Sequence, residues 1–243
     1  MACRGGDVNS RYDALVTLVV TSSLLVVVCG VAAALLAPWL LRRTPEPELE
    51  PDEVKTSYAE LATWRFSIAA GVWAAALATA SVIGVEPDRV GPWLVVAIVG
   101  ALASVVDIAT TWIPRRWLHV GWLLAGLSVI GSAWSVGDWS GIARAAIGVA
   151  VVGGAYGLVY LFSVLTNRGF FGFADVRLGV LTGMVAGWRS IPTATSALVL
   201  GSLIGALWGV VNLVRHRREP YAYGPGIVLG PYVALVIAVL TQR

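Results

Sequence analysis

Two aspartates, Asp107 and Asp175, lie at the edges of apolar stretches and are the residues best suited to chemistry. A carboxylate beside hydrocarbon is costly enough that it usually has a function. Two carboxyl groups a few ångströms apart in a partly desolvated cleft tend to share one proton. The ionised group can then take a proton from water as the water attacks a peptide carbonyl, while the protonated group hydrogen-bonds the carbonyl oxygen. Because the titration belongs to the pair, either aspartate can be the base.

The other twelve of the fourteen acidic residues have simpler explanations. Most fall in segments where water solvates them, and Glu60 begins an apolar run, where the helix dipole accounts for a carboxylate. The solvated acids are Asp7, Asp13, Glu46, Glu48, Glu50, Asp52, Glu53, Glu86, Asp88, Asp138 and Glu219. Elimination therefore leaves Asp107 and Asp175 as the candidate pair.

Composition indicates the class of protein in which this pair of aspartates lies. With 58% hydrophobic residues, 13% charged residues and a mean hydropathy of +0.80, the chain of 243 residues has too little polar surface to cover a soluble globule. A spanning helix needs roughly 20 apolar residues. We therefore predict an all-α polytopic transmembrane bundle of about eight helices, over 14–40, 60–84, 91–107, 118–136, 142–165, 175–188, 190–214 and 222–240.

The chain divides into three parts. The N-terminal tail and first helix occupy 1–41, and we expect this helix to be retained because its apolar run exceeds the about 7–15 residues of a signal-peptide core. An acidic, proline-rich linker follows at 42–57. Because its prolines remove helix donors and its acids repel one another, we expect a solvated cytoplasmic segment without a fold of its own. The remaining residues, 58–243, form the main transmembrane domain.

Basic residues orient the predicted bundle. Threading eight helices with the amino terminus outside puts eleven of the seventeen lysines and arginines on one side and six on the other. The richer side should be cytoplasmic. This topology brings Asp107, which ends the third helix, and Asp175, which begins the sixth, to the cytoplasmic side of the plasma (inner) membrane. The net charge of +3 then reflects topology and contact with membrane lipid, with no basic stripe that indicates nucleic acid.

Three segments carry a family resemblance. They are Asp107–Pro114 (DIATTWIP), Gly172–Asp175 (GFAD) and Tyr223–Pro231 (YGPGIVLGP). The first two resemble the active-site motifs of the type IV prepilin peptidases, which are aspartyl proteases of the membrane. The third is similar to the aromatic-Gly-Pro segment that opens the last helix of that family. The segments occur in the family's order, and the likeness extends from about the second predicted helix to the end.

The resemblance implies an aspartic endopeptidase that removes the leader from prepilin or pseudopilin precursors, in type IV pilus assembly or protein secretion. Asp107 and Asp175 would be catalytic, without metal or cofactor. Pro114 would start the fourth helix, and Gly172 would let the backbone approach a substrate strand. If Arg177 serves the site, we expect it to meet a lipid phosphate or an acidic residue of the mature pilin. The substrate would carry a short basic leader ending in glycine, followed by an apolar helix.

Two departures from the family pattern affect these expectations. The second motif of the family is Gly-x-Gly-Asp, whereas Ala174 here adds a methyl group before the acid and disfavours a positive φ. Many bacterial members also carry a cysteine-rich, zinc-binding cytoplasmic domain between the first two helices, which methylates the new pilin amino terminus. A sixteen-residue linker without cysteine stands in that place. We therefore predict peptidase activity without N-methyltransferase activity.

Two other functions fit the same residues. Carboxylates at helix breaks also couple protons or cations in membrane transporters. A catalytically inactive relative would bind the pilin machinery without cutting its substrate. Cleavage of a precursor distinguishes the peptidase from both, whereas the oligomeric state is left open by the sequence.

Overall fold

The computed structural model describes residues 7–46, 56–167, 171–215 and 221–241 and is helical, with no strand in these ranges. The helices are α1 (Asp7–Arg43), α2 (Tyr58–Leu61), α3 (Trp64–Gly84), α4 (Gly91–Thr110), α5 (Arg115–Val136), α6 (Ser140–Gly148), α7 (Gly154–Leu165), α8 (Phe173–Arg189), α9 (Ile191–Val214) and α10 (Gly224–Thr241). A π-helical turn, Val149–Gly153, joins α6 to α7 without a break.

Seven helical stretches within the described ranges are long and apolar enough to cross a membrane. They are the apolar part of α1, then α3, α4, α5, the continuous α6–α7 helix, α9 and α10. The predicted all-α polytopic bundle is therefore confirmed, and the chain is a multi-pass membrane protein. The remaining predicted run, the sixth at 175–188, corresponds to α8, which has 17 residues.

Helix α8 lies inside the bundle. It packs against α4, α5, α6, α9 and α10, and most of its side chains are buried. Its glycines allow this close packing, since a Cβ on Gly183 would lie 2.5 Å from the carbonyl oxygen of Gly148 and one on Gly187 would lie 2.5 Å from that of Arg144. Gly179, Gly183 and Gly187, which recur every fourth residue along α8, therefore form a packing face.

Two helix boundaries differ from the sequence prediction. The run expected to begin at residue 60 is divided into α2 and α3, because Thr63 caps α3 by accepting a hydrogen bond from the amide of Phe66 at 3.3 Å. Helix α4 continues three residues beyond Asp107 to Thr110, and its C-cap residue Thr111 has a left-handed φ of 56°. Asp107 therefore lies within the last turn of a helix and does not end it.

One end of the bundle is held by an ion cluster between two loops. Asp138, in the loop between α5 and α6, pairs with Arg89 at 3.0 Å and Arg144 at 2.7 Å. Arg89 belongs to the loop between α3 and α4, so both loops emerge at the same end. The two candidate aspartates lie at the opposite end, because Asp107 is in the last turn of α4 and Asp175 in the first turn of α8.

Candidate functional site

Asp107 is a buried carboxylate with a backbone donor. Its residue is 4% exposed, and its Oδ2 accepts a hydrogen bond from the amide of Gly224 at 2.8 Å. Gly224 is the first residue of α10, where amide groups have no acceptor within their own helix. The positive end of the α10 dipole therefore faces the acid.

The close approach of α10 depends on the missing side chain of Gly224. A Cβ at this position would lie 2.8 Å from Oδ2 of Asp107 and 3.0 Å from Cδ1 of Leu178. It would also lie 3.2 Å from Cδ1 of Ile113, the residue before Pro114. Three segments thus converge on Gly224. They are the end of α4 with its following loop, the first turns of α8 and the start of α10.

Asp175 occupies the first turn of α8 and is partly buried. Its Oδ2 accepts a hydrogen bond from the amide of Gly172 at 3.2 Å, which caps the helix start. Leu178, one turn after Asp175 on α8, and Oδ2 of Asp107 both approach Gly224. The structure therefore brings both predicted acids to one end of the bundle.

Aromatic rings surround the approach to Asp175. Phe171 stacks on Tyr156 with ring centroids 5.8 Å apart and meets Tyr223 edge-on at 5.3 Å. Burial raises the pKa of Tyr223, and the charges of Tyr221 and Asp175 act in the same direction. Tyr223 belongs to the aromatic-Gly-Pro segment, but sequence reasoning missed Tyr156 and Phe171, since nothing in their local sequence distinguishes them from ordinary membrane aromatics.

The other residues predicted to shape the site take several positions. Pro114 precedes the first residue of α5 and leaves Ile113 non-helical, as the sequence indicates.

Ala174 lies in the first turn of α8, in helical conformation. No positive φ occurs there, since the only non-glycine residues with positive φ in the described ranges are Thr111 and Asn167. The alanine therefore creates no backbone strain in this structure.

Arg177 is held by its neighbours on the wall of the bundle. Its guanidinium lies 4.5 Å from the centre of the Phe173 ring, and its carbonyl oxygen accepts a hydrogen bond from Nε1 of Trp122 at 2.9 Å. The guanidinium and the carbonyl of Arg177 thus both contact aromatic side chains.

Glu46, near the start of the linker, and Tyr58, just after its end, connect the linker to the loop that follows Asp107. The Glu46 carboxylate accepts a hydrogen bond from the amide of Tyr58 at 2.9 Å, and the Tyr58 hydroxyl donates to the carbonyl of Trp112 at 3.3 Å. Burial, together with the charge of Glu46, raises the pKa of Tyr58 to about 12. The hydroxyl therefore stays protonated and remains a donor to this loop.

The described residues contain no group of three or more histidine, cysteine, aspartate or glutamate side chains that could hold a metal ion. The arrangement at this end is a carboxylate pair, a helix amino terminus and an aromatic wall. Fold and site together define a polytopic helical membrane protein with two aspartates at one end of its bundle.

Comparison with known proteins agrees with this class. The chain is 36% identical over 108 residues to the prepilin leader peptidase/N-methyltransferase of Pseudomonas putida, which covers 43% of this chain and 35% of the relative. It is 29% identical over 84 residues to the protein of the same name from Pseudomonas aeruginosa, covering 33% of this chain and 28% of the relative. The Burkholderia pseudomallei protein of that name is 29% identical over 132 residues, covering 52% of this chain and 40% of the relative.

These matches span about a third of the length of the relatives. No family model matches the chain, and no solved structure matches it at a significant level. Over part of its length, the chain is thus similar to proteins named prepilin leader peptidase/N-methyltransferase.

Proposed function

We propose that this protein is a membrane aspartyl endopeptidase that removes the leader from prepilin-like precursors at the cytoplasmic face. The observation that carries the proposal is the convergence of Asp107 and Asp175 at one end of the bundle, where Oδ2 of Asp107 and Leu178, one turn after Asp175, both meet Gly224. The names of the relatives support a prepilin leader peptidase in general. The division into a first helix, a linker at 42–57 and a peptidase domain at 58–243 is part of the same proposal.

The site can hold one proton between two acids. Both carboxyl groups ionise at a cost where water is scarce and a second negative charge is near, so a singly protonated pair is the favoured state. The ionised member accepts a proton from the attacking water, and the protonated member hydrogen-bonds the scissile carbonyl. Asp175 is the more exposed of the two, whereas Asp107 is fixed by Gly224.

The surrounding residues suit an extended peptide segment near Asp175. Gly172 is exposed and has no side chain, so a substrate backbone can approach it closely. The rings of Phe171 and Tyr223 provide an apolar wall beside the acid. Pro114 fixes the loop between α4 and α5, and Arg177, with Ala174, lies on the first turns of α8.

We further propose that the mature product is not methylated by this protein. The family resemblance associates methylation with a cysteine-rich domain between the first two helices. The 42–57 linker contains no cysteine, and the chain has two cysteines in all, Cys3 and Cys29. Mass spectrometry of the mature pilin should find a free amino terminus without an added methyl group.

The test of peptidase function is cleavage of a prepilin co-expressed with this protein in a bacterial host that lacks its own prepilin peptidase. Asp107→Asn and Asp175→Asn each keep the shape of the side chain and remove the ionisable group, so each should abolish leader removal. Asp88→Asn is the control, since Asp88 is exposed at the opposite end of the bundle.

Other results would identify a different function. If the wild type binds the precursor and leaves the leader intact, the protein is an inactive relative. If it neither binds nor cuts and instead dissipates an ion gradient in vesicles, the aspartates serve transport. Cleavage that survives both aspartate substitutions would reject the dyad while retaining a peptidase.

A further inference from the structure

A lipid-facing cavity of about 490 Å³ lies between α1, α4 and α5, away from the two aspartates. We call it the α1–α4–α5 groove. Its apolar lining includes Leu36, Trp39 and Leu40 of α1, Leu102 of α4, and Val120 and Leu124 of α5. The volume falls within the roughly 300–1,000 Å³ typical of small-molecule sites. The groove is therefore large enough for part of a lipid-sized ligand.

The mouth of this groove is basic. Arg43, at the end of α1, and Arg116, at the start of α5, both line it and are exposed. The guanidinium of Arg43 lies 4.6 Å from the centre of the Trp39 ring, which keeps it at the rim. None of the described residues that line the groove is acidic. The two positive charges thus face an anion without competition from a lining carboxylate.

The polar atoms at the base of this mouth are already satisfied. Nε1 of Trp117 donates to Oγ1 of Thr44 at 3.0 Å, and the Thr44 hydroxyl donates to the carbonyl of Leu40 at 2.7 Å. The interior therefore presents hydrocarbon, while the positive charges of Arg43 and Arg116 lie at the rim. This division of apolar interior and cationic rim matches a molecule with an anionic head and an apolar tail.

The groove is separate from the aspartate pair. Asp107 lies five residues beyond Leu102 on α4, which places it about 140° around the helix from the groove at 100° per residue. Asp107 accordingly contacts Gly224 of α10 on another side of α4. A peptide lying in the groove would not bring its backbone to that carboxylate.

We propose that the α1–α4–α5 groove binds an anionic phospholipid, with its phosphate between Arg43 and Arg116 and an acyl chain against Leu102, Val120 and Leu124. Arginine recognises phosphate well because its planar guanidinium donates several hydrogen bonds. Basic pockets between transmembrane helices are recognised sites for anionic headgroups. This proposal does not depend on the peptidase function.

The test is native mass spectrometry of the full-length protein, purified in detergent and titrated with phosphatidylglycerol or phosphatidylcholine of identical acyl chains. The wild type should retain phosphatidylglycerol preferentially. Arg43→Gln and Arg116→Gln should each weaken its retention about fivefold, the effect expected for one basic residue near a membrane surface. Arg65→Gln is the matched control, because Arg65 also lies beside a tryptophan, Trp64 at 5.6 Å, but does not line the groove.

A second variant tests the apolar part of the groove. Val120 is exposed and lines it, so Val120→Trp should fill the space without disturbing a buried contact and should reduce retention of phosphatidylglycerol. Equal retention of the two lipids by the wild type, or an equal loss in Arg65→Gln, would overturn the proposal. If Val120→Trp instead weakens binding of a prepilin peptide and leaves lipid retention unchanged, the groove holds substrate and the lipid proposal fails.

Discussion

The amide of Gly224 donates a hydrogen bond to Oδ2 of Asp107 across 2.8 Å, which joins residues 117 positions apart in the sequence. This contact fixes the orientation of a buried carboxylate by means of the first residue of another helix. Because the donor is a backbone group, a substitution that keeps the amide can alter this contact only by changing the space around it. Gly224 therefore determines where Asp107 points.

Gly224→Ala should reduce prepilin cleavage by at least about tenfold, because displacing a reacting group by 1 Å can cost about a hundredfold in rate. The added Cβ would lie 2.8 Å from Oδ2 of Asp107, so the carboxylate must move. The measurement is the cleavage rate in detergent or nanodiscs, at matched protein concentration and after checking thermal stability.

Gly126→Ala is the control for this substitution, since a Cβ on Gly126 would meet nothing within 4 Å. It should cleave like the wild type. If Gly224→Ala retained full activity while remaining folded, Asp107 would not need the position that the structure gives it.

Several parts of this structure could be predicted from the sequence, for particular reasons. Asp107 and Asp175 stand out because acids are rare beside apolar runs, and the glycines at positions 179, 183 and 187 recur at helical spacing on one face. The contact between Gly224 and Asp107 could not be predicted, since no local pattern specifies which helix amino terminus meets a given acid. The division of α2 from α3 depends on the cap at Thr63, a signal concealed within an apolar run.

The α1–α4–α5 groove could not be predicted from the sequence either. Its basic rim is formed by Arg43 and Arg116, which are far apart in the chain. A topology prediction uses these arginines only for their positive charge and does not place them side by side. Their shared mouth depends on how α1 packs against α4. Tertiary packing therefore supplied the features that the sequence left open.

Ala174→Gly should not increase the cleavage rate. The sequence suggests that alanine could impair the site because glycine at this position would permit a positive φ, but residue 174 is helical in this structure. A glycine there should instead cost about 0.5–1 kcal/mol in helix stability. Cleavage assays and thermal unfolding of the two proteins would decide between these effects, and faster cleavage by Ala174→Gly would show that the methyl group obstructs the substrate.

Gly148→Ala should destabilise the bundle by about 1–3 kcal/mol, the usual cost of overpacking. A Cβ there would lie 2.7 Å from Cα of Gly187 and would also collide with the carbonyl of Gly183. Gly154→Ala, in the same continuous helix, is the control because its Cβ would meet nothing within 4 Å. Thermal unfolding in detergent should show a lower midpoint for Gly148→Ala alone, and equal midpoints would mean that α6 and α8 do not pack as closely as described.

Acid should weaken the end of the bundle that is opposite the aspartate pair, through Asp138. Hydrogen bonds from Ser140 and Arg144 hold the pKa of this carboxyl well below its usual range. Because the folded-state pKa is lower than the unfolded value of about 3.9, Asp138 stabilises the fold above that pH, and the contribution is lost as the pH falls toward the folded-state value. Asp138→Asn should therefore be less stable than the wild type at neutral pH, and the difference should shrink below about pH 4. Thermal unfolding across this range, with Asp88→Asn as the control for an exposed loop acid, checks the prediction, and a difference that stayed constant with pH would contradict it.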